Sequence, residues 1–138
     1  MIRLNVPCLG AEELREIGGV LESGYLTQGK KVTEFEGIVK KTVGSRHGFA
    51  MSSATTALHL SLVALGIEPG DEVLVSDFTF PACGNVIVQA GAIPVCVDVM
   101  PDTYAMDPAD LERRITERTR AIMVVHPFGL PADMDPVL

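Results

Sequence analysis

His47–Leu65, HGFAMSSATTALHLSLVAL, is the stretch on which the reading of this chain turns. It predicts a short apolar strand over His47–Met51, a polar turn, and a helix over Ala54–Leu65 with Leu58, Leu62 and Leu65 on one face. The opposite face carries Ala57, Ser61 and Ala64, small enough for close packing. Between strand and helix lies Ser52-Ser53-Ala54-Thr55-Thr56, where hydroxyls and small side chains crowd a helix start. The first N–H groups of a helix have no partner within it, and the helix dipole adds partial positive charge there. Such an end suits a phosphate. Read by itself, Ser53 is an ordinary N-cap, and it is the neighbouring segments that favour the phosphate.

Downstream the alternation continues. Glu72–Ser76 reads as a strand after the turn Pro69-Gly70-Asp71, and Pro81–Ala90 as an apolar helix with proline at its start and Gly91 at its end. Pro94–Val97 is the next strand. Asp107 caps a helix that turns Leu111 and Ile115 inward, and Arg120–Val125 is the last strand. Short apolar strands alternating with helices imply βαβ units and a mainly parallel sheet flanked by helices, an α/β fold. Ligands of such sheets bind beyond the carboxyl ends of the strands. Ser52–Thr56, Asp77–Pro81, Asp98–Tyr104 and His126–Gly129 all fall there and are candidates for one pocket.

Upstream, Leu14, Ile17 and Leu21 predict a helix over residues 11–23 that Gly24 stops. Val32, Phe35 and Val39 predict another over 31–42 that Gly44 ends. Both precede the first strand and are expected on the outside of the sheet domain. Tyr25-Leu26-Thr27-Gln28-Gly29 is the polar loop between them. The organisation is therefore a helical segment, 1–45, followed by alternating β/α structure, 46–138.

The 138 residues suffice for one core, with 47% hydrophobic and 21% charged residues and no low-complexity tract. A net charge of −7 argues against a general nucleic-acid binder, which needs a basic face. It leaves room for a local phosphate site built from backbone amides. Met1–Gly10 lacks the apolar core of a signal peptide, and Ala121–Val125 is too short to span a bilayer, so a cytoplasmic protein off the membrane is expected. Cys8, Cys83 and Cys96 have no metal-ligand spacing, and His47, His59 and His126 are scattered, so reduced packed thiols and no metal are expected. His126 and Asp98, each at a strand end, read as hydrogen-bonding residues with no catalytic role. Asp133 and Asp135 read as turn and cap residues.

The ordered run of motifs carries a resemblance. GYLTQG at Gly24–Gly29 with Phe35-Glu36, SATTALHL at Ser53–Leu60, ALGI at Ala64–Ile67 and PGDEV at Pro69–Val73 come first. Phe78-Thr79-Phe80, GAIPV at Gly91–Val95 with Asp98-Val99, and PDTY at Pro101–Tyr104 follow. His126 with Gly129 and PADMD at Pro131–Asp135 complete the series. This chain resembles the N-terminal part of the DegT/DnrJ/EryC1/StrS aminotransferases, pyridoxal-phosphate enzymes whose large domain has fold type I. No single motif is decisive; their order over nearly the whole chain is.

The resemblance implies roles. Ser53, Ala54, Thr55 and Thr56 correspond to the cofactor-phosphate cradle, with the backbone N–H groups of Thr55 and Thr56 as donors and Ala54 where many relatives have glycine. Phe80 corresponds to the aromatic residue that stacks on the pyridine ring, whereas by itself it reads as a core residue. Tyr25, Thr27 and Gln28 correspond to a loop near the sugar substrate, and by themselves to a solvated turn. The implied cofactor is pyridoxal 5'-phosphate, with pyridoxamine 5'-phosphate as its aminated form. The implied partners are a nucleotide-linked keto-sugar, an amino-acid donor such as glutamate, and a second copy in a homodimer.

The Schiff-base lysine and the acid that holds the pyridine nitrogen lie, in the family, beyond Leu138. Lys30, Lys31, Lys40 and Lys41 occupy no such position, and neither Asp133 nor Asp135 matches that acid. A catalytic residue is therefore not expected within these 138 residues, and the chain alone is expected to be inactive. A sugar dehydratase of the same family and a non-catalytic binding or regulatory relative are the alternatives. A dinucleotide-binding Rossmann module lacks its GxGxxG after the first strand.

Overall fold

A computed structural model describes residues 6–138. The described residues divide into two compact units that part between Ala50 and Met51.

The first unit holds α1 (Ala11–Ser23) and α2 (Lys30–Val43). Each ends on a left-handed glycine, Gly24 at φ 67° and Gly44 at φ 70°, the conformation a helix C-terminus favours and a side chain resists. At the start of α1 the Gly10 N–H donates to the Glu13 carboxylate at 2.7 Å, which lowers the Glu13 pKa. Lys31 on α2 pairs with Glu16 on α1 at 2.5 Å and with Glu34 at 3.3 Å.

The expected strand at His47–Met51 does not form. A strand needs a neighbour to complete its ladder. Here the Ala50 N–H donates to the Glu36 carboxylate at 2.8 Å instead.

The second unit is an α/β layer. In chain order it runs α3 (Ala54–Ala64), β1 (Glu72–Ser76), α4 (Ala82–Gln89), β2 (Ile93–Val97), α5 (Pro108–Arg114) and β3 (Thr119–Met123), with a 3-10 turn at Pro127–Gly129. The strands are parallel in the order β2-β1-β3, so three strands stand where four were expected. Every residue of the central β1 is buried. Its alternate side chains serve two cores. Val73 and Val75 pack with Leu62, Cys83, Val86 and Ile87 from α3 and α4. Leu74 packs with Val97, Met106 and Leu111 on the α5 face. Leu65 and Ile115, both expected inward, are exposed. Each is the C-cap of its helix and lies past the last turn that faces the sheet.

Buried charges tie the layers. Glu72 accepts from Thr116 Oγ1 at 2.6 Å and pairs with Arg118, bridging β1 to the segment entering β3. Asp110 accepts from the Asp98 N–H at 2.8 Å and from Arg113 and Arg114 at 2.9 and 2.5 Å. These donors hold its carboxyl at about 2.

Candidate functional site

The start of α3 is built as its sequence suggests. Ser53 is the N-cap, extended at φ −160° and ψ 161°, and its hydroxyl accepts from the Thr56 N–H at 3.1 Å, so that N–H, expected to donate to a phosphate, is already engaged by the cap. The Thr56 hydroxyl lies 3.0 Å from Ser53 Oγ and 3.3 Å from Ser52 Oγ. Ala57 N–H bonds the Ser53 carbonyl at 3.0 Å. Ala54 and Thr55 N–H groups, which precede the first intrahelical bond, have no hydrogen-bond partner among the described residues. Two unpaired backbone donors, a small Ala54 side chain and the hydroxyls of Ser52, Ser53 and Thr56 make an uncharged anion cradle. These residues fit a phosphate ester.

Phe80 stands at the equivalent end of the neighbouring helix. It directly precedes the turn into α4, and the Cys83 N–H bonds its carbonyl at 3.0 Å. α3 returns to the amino end of β1 through Ile67–Asp71, and α4 leaves from the carboxyl end. Both helices therefore run antiparallel to the strand and start at its carboxyl side. Their far ends confirm the alignment. Gly91 after α4 sits against Pro69 after α3, so close that a Cβ at Gly91 would lie 3.2 Å from Pro69 Cγ. Phe80 is 74% exposed, not the core residue its hydrophobicity alone predicts. A flat apolar ring thus faces solvent on the edge that carries the cradle.

The loop Tyr25–Gly29 belongs to the first unit. The Tyr25 ring packs against Gly29, where a Cβ would meet Tyr25 Cδ1 at 2.6 Å, so a larger residue there requires the ring to move. Tyr25 and Thr27 line a cleft of about 390 Å³ together with Ser23, Lys30 and Glu34; Gln28 does not line it.

Three of the four strand-end stretches meet through residues that sequence reasoning did not single out. Phe78 beyond β1 lies 5.1 Å from Tyr104 beyond β2 and 6.1 Å from Phe128 beyond β3, centroid to centroid. The only signal in the sequence is an aromatic residue in each stretch, and no spacing rule relates them.

The polar strand-end residues act as expected. His126 Nδ1 accepts from the Ala132 N–H at 3.0 Å. Asp98 Oδ1 accepts from the Val99 N–H at 2.8 Å. Asp133 accepts from the Asp135 N–H at 3.3 Å, closing a turn. Cys8, Cys83 and Cys96 are free thiols, but only Cys83 is packed as expected; Cys8 and Cys96 are exposed because neither lies on a face that the cores cover. Desolvation and the Asp77 carboxylate raise the Cys96 pKa, which keeps it protonated and a poor nucleophile. Among the described residues no group of His, Cys, Asp and Glu is arranged to hold a metal, and no helix is long and apolar enough to cross a membrane.

Comparison with known proteins agrees with this architecture. The profile of the DegT/DnrJ/EryC1/StrS aminotransferase family matches residues 7–138. The spore coat polysaccharide biosynthesis protein SpsC of Bacillus subtilis is 44% identical over 134 residues, covering 97% of this chain and 34% of SpsC. Among solved structures, Spr1654 from Streptococcus pneumoniae, described as a sugar aminotransferase, superposes in its PMP form with a TM-score of 0.94. It is 38% identical over 99% of this chain and 34% of that one, and its PLP form agrees equally well. A DegT DnrJ EryC1 StrS aminotransferase from Brucella abortus superposes at 0.86, with 35% identity over 98% of this chain and 40% of that one. The chain thus spans about a third of the length of these curated relatives. With the profile covering residues 7–138 and the fold superposing on these structures, the chain belongs to the DegT/DnrJ/EryC1/StrS aminotransferase family.

Proposed function

We propose that this chain forms the phosphate-holding part of a pyridoxal-phosphate-dependent aminotransferase. Its substrate is a nucleotide-linked keto-sugar, its donor an amino acid such as glutamate, and its setting the synthesis of amino sugars for cell-surface polysaccharide. The observation that supports this is the pairing of a neutral anion cradle at the start of α3 with an exposed phenyl ring at the start of α4. When bound, the cofactor supplies an electron sink and carries the amino group between donor and acceptor.

The chain's own residues bind and orient. The N–H groups of Ala54 and Thr55, with the hydroxyls of Ser53, Thr55 and Thr56, hold the phosphate; Phe80 covers one face of the ring. Tyr25, Thr27 and Gln28 are assigned to the sugar substrate. The lysine and the acid of the chemistry are supplied beyond Leu138, in a homodimer in the cytoplasm, and residues 1–138 alone do not transaminate.

Pyridoxamine 5'-phosphate is the right probe, because it carries no aldehyde to label Lys30, Lys31, Lys40 or Lys41 nonspecifically. The chain is expected to bind it saturably, to bind unphosphorylated pyridoxamine far more weakly, and to lose the difference in Ser53→Ala/Thr56→Val. Equal binding of the two compounds would overturn the cradle. Transamination of a keto-sugar by the purified chain would overturn the division of labour.

A further inference from the structure

Tyr104 at φ 56° and Phe128 at φ 52° are the only non-glycine residues with left-handed backbone among the described residues. Both are ring partners of Phe78. Left-handed backbone is uncommon for a bulky residue, and such strain persists where its surroundings over-determine it, most often at ligand sites. Burial does not account for it here. Phe78, Tyr104 and Phe128 are 45%, 46% and 88% exposed. The fold thus holds three rings toward solvent beyond the carboxyl ends of all three strands. Their planes are tilted by 35° and 56° from that of Phe78, which makes a notched ledge and not a flat stack.

Charge narrows what the ledge can take. No lysine or arginine occurs between Asp71 and Glu112 or between Ala121 and Leu138. Asp77, Asp98 and Asp102 lie in the same strand-end stretches. His126 spends its Nδ1 on the Ala132 N–H. Rings beside carboxylates, with the nearby Arg113 and Arg114 already paired to Asp110, disfavour phosphate. They suit a pyranose ring, whose C–H face packs on aromatic carbon and whose hydroxyls donate to carboxylates.

We propose that Phe78, Tyr104 and Phe128 form a stacking ledge for an uncharged carbohydrate ring, the sugar portion of the substrate. The ligand class rests on the function proposed above; the geometry does not. The ledge selects for the sugar, and the nucleotide and its phosphates lie off it.

Tyr104 reports on the ledge directly. The chain has two tyrosines and no tryptophan, and the Tyr104 signal is the part of the emission that Tyr104→Phe removes. That signal is followed during titration with methyl β-D-glucopyranoside, UDP-glucose and UMP. The first two are expected to give saturable changes and UMP none at the same concentrations. Phe128→Gly, which removes the most exposed ring and suits the left-handed backbone, is expected to weaken the response at least tenfold. It is expected to leave the melting temperature equal or higher. Phe78→Leu is expected to weaken the response at unchanged fold.

A response to UMP equal to that for UDP-glucose would make the ledge a base site and overturn the proposal. So would no response to any sugar, an undiminished response in Phe128→Gly, or concentration-dependent self-association without a sugar response, which would mark a contact between copies. Binding of pyridoxamine 5'-phosphate is measured separately on the same protein. A lost sugar response with intact cofactor binding rejects the ledge alone, and the converse rejects the cofactor reading alone.

Discussion

Phe80→Ala separates a ring kept for packing from a ring kept for a ligand. An aromatic side chain presents about 200 Å² in all, and Phe80 leaves 74% of its surface exposed. Little of it therefore supports the fold, and its truncation is expected to lower stability by less than ~1 kcal/mol. A cofactor ring laid on one face covers about 50 Å², worth about 1.3 kcal/mol at the usual hydrophobic coefficient. The aromatic pair geometry adds about 0.5–1.5 kcal/mol. Together these give about 2–3 kcal/mol, or roughly 20- to 100-fold weaker cofactor binding in Phe80→Ala. The assay is isothermal titration with pyridoxamine 5'-phosphate beside thermal unfolding of the same samples. A melting temperature lowered by many degrees with unchanged affinity would return Phe80 to the core and refute the reasoning.

Leu74→Ala removes a fully buried side chain from the central strand and is expected to cost about 2–5 kcal/mol in urea unfolding; a loss below ~1 kcal/mol would contradict the packing on the α5 face. Ser53→Ala removes the α3 cap and is expected to cost about 1 kcal/mol as well as weakening phosphate binding, read by denaturation and titration on one preparation. Asp110 is held at about 2, below its ordinary 3.8, first by the Asp98 N–H and then by Arg114 and Arg113. A depressed carboxyl stabilises the fold above its ordinary pKa and loses that contribution as pH falls through the folded value. Wild-type stability is therefore expected to drop between about pH 5 and 2, and Asp110→Asn to flatten that part of the profile in unfolding followed by circular dichroism.

Where local chemistry decides, sequence and structure agree. Gly24 and Gly44 end α1 and α2 because a helix end wants a residue free to take positive φ. Glu72–Ser76 matches its predicted bounds because an apolar run after Pro69-Gly70-Asp71 has one way to be buried on both faces. Ser53 and Asp107 cap α3 and α5 through their own side chains. His47–Met51 differs because a strand is a relation between segments, and the Ala50 N–H finds a carboxylate in place of a ladder. Leu65 and Ile115 differ because periodicity does not say where the last buried turn stops.

The sequence by itself determined the α/β alternation, the capped start of α3 and the family, since each is written in residue types at short spacing. Only the tertiary structure decided that Phe80 faces solvent, that Glu72 and Asp110 are buried among their partners, and that Phe78, Tyr104 and Phe128 meet. The three rings are about 25 residues apart along the chain. No local rule relates residues so separated, and the parallel sheet brings them to one edge because each right-handed crossover returns the next strand to the same direction.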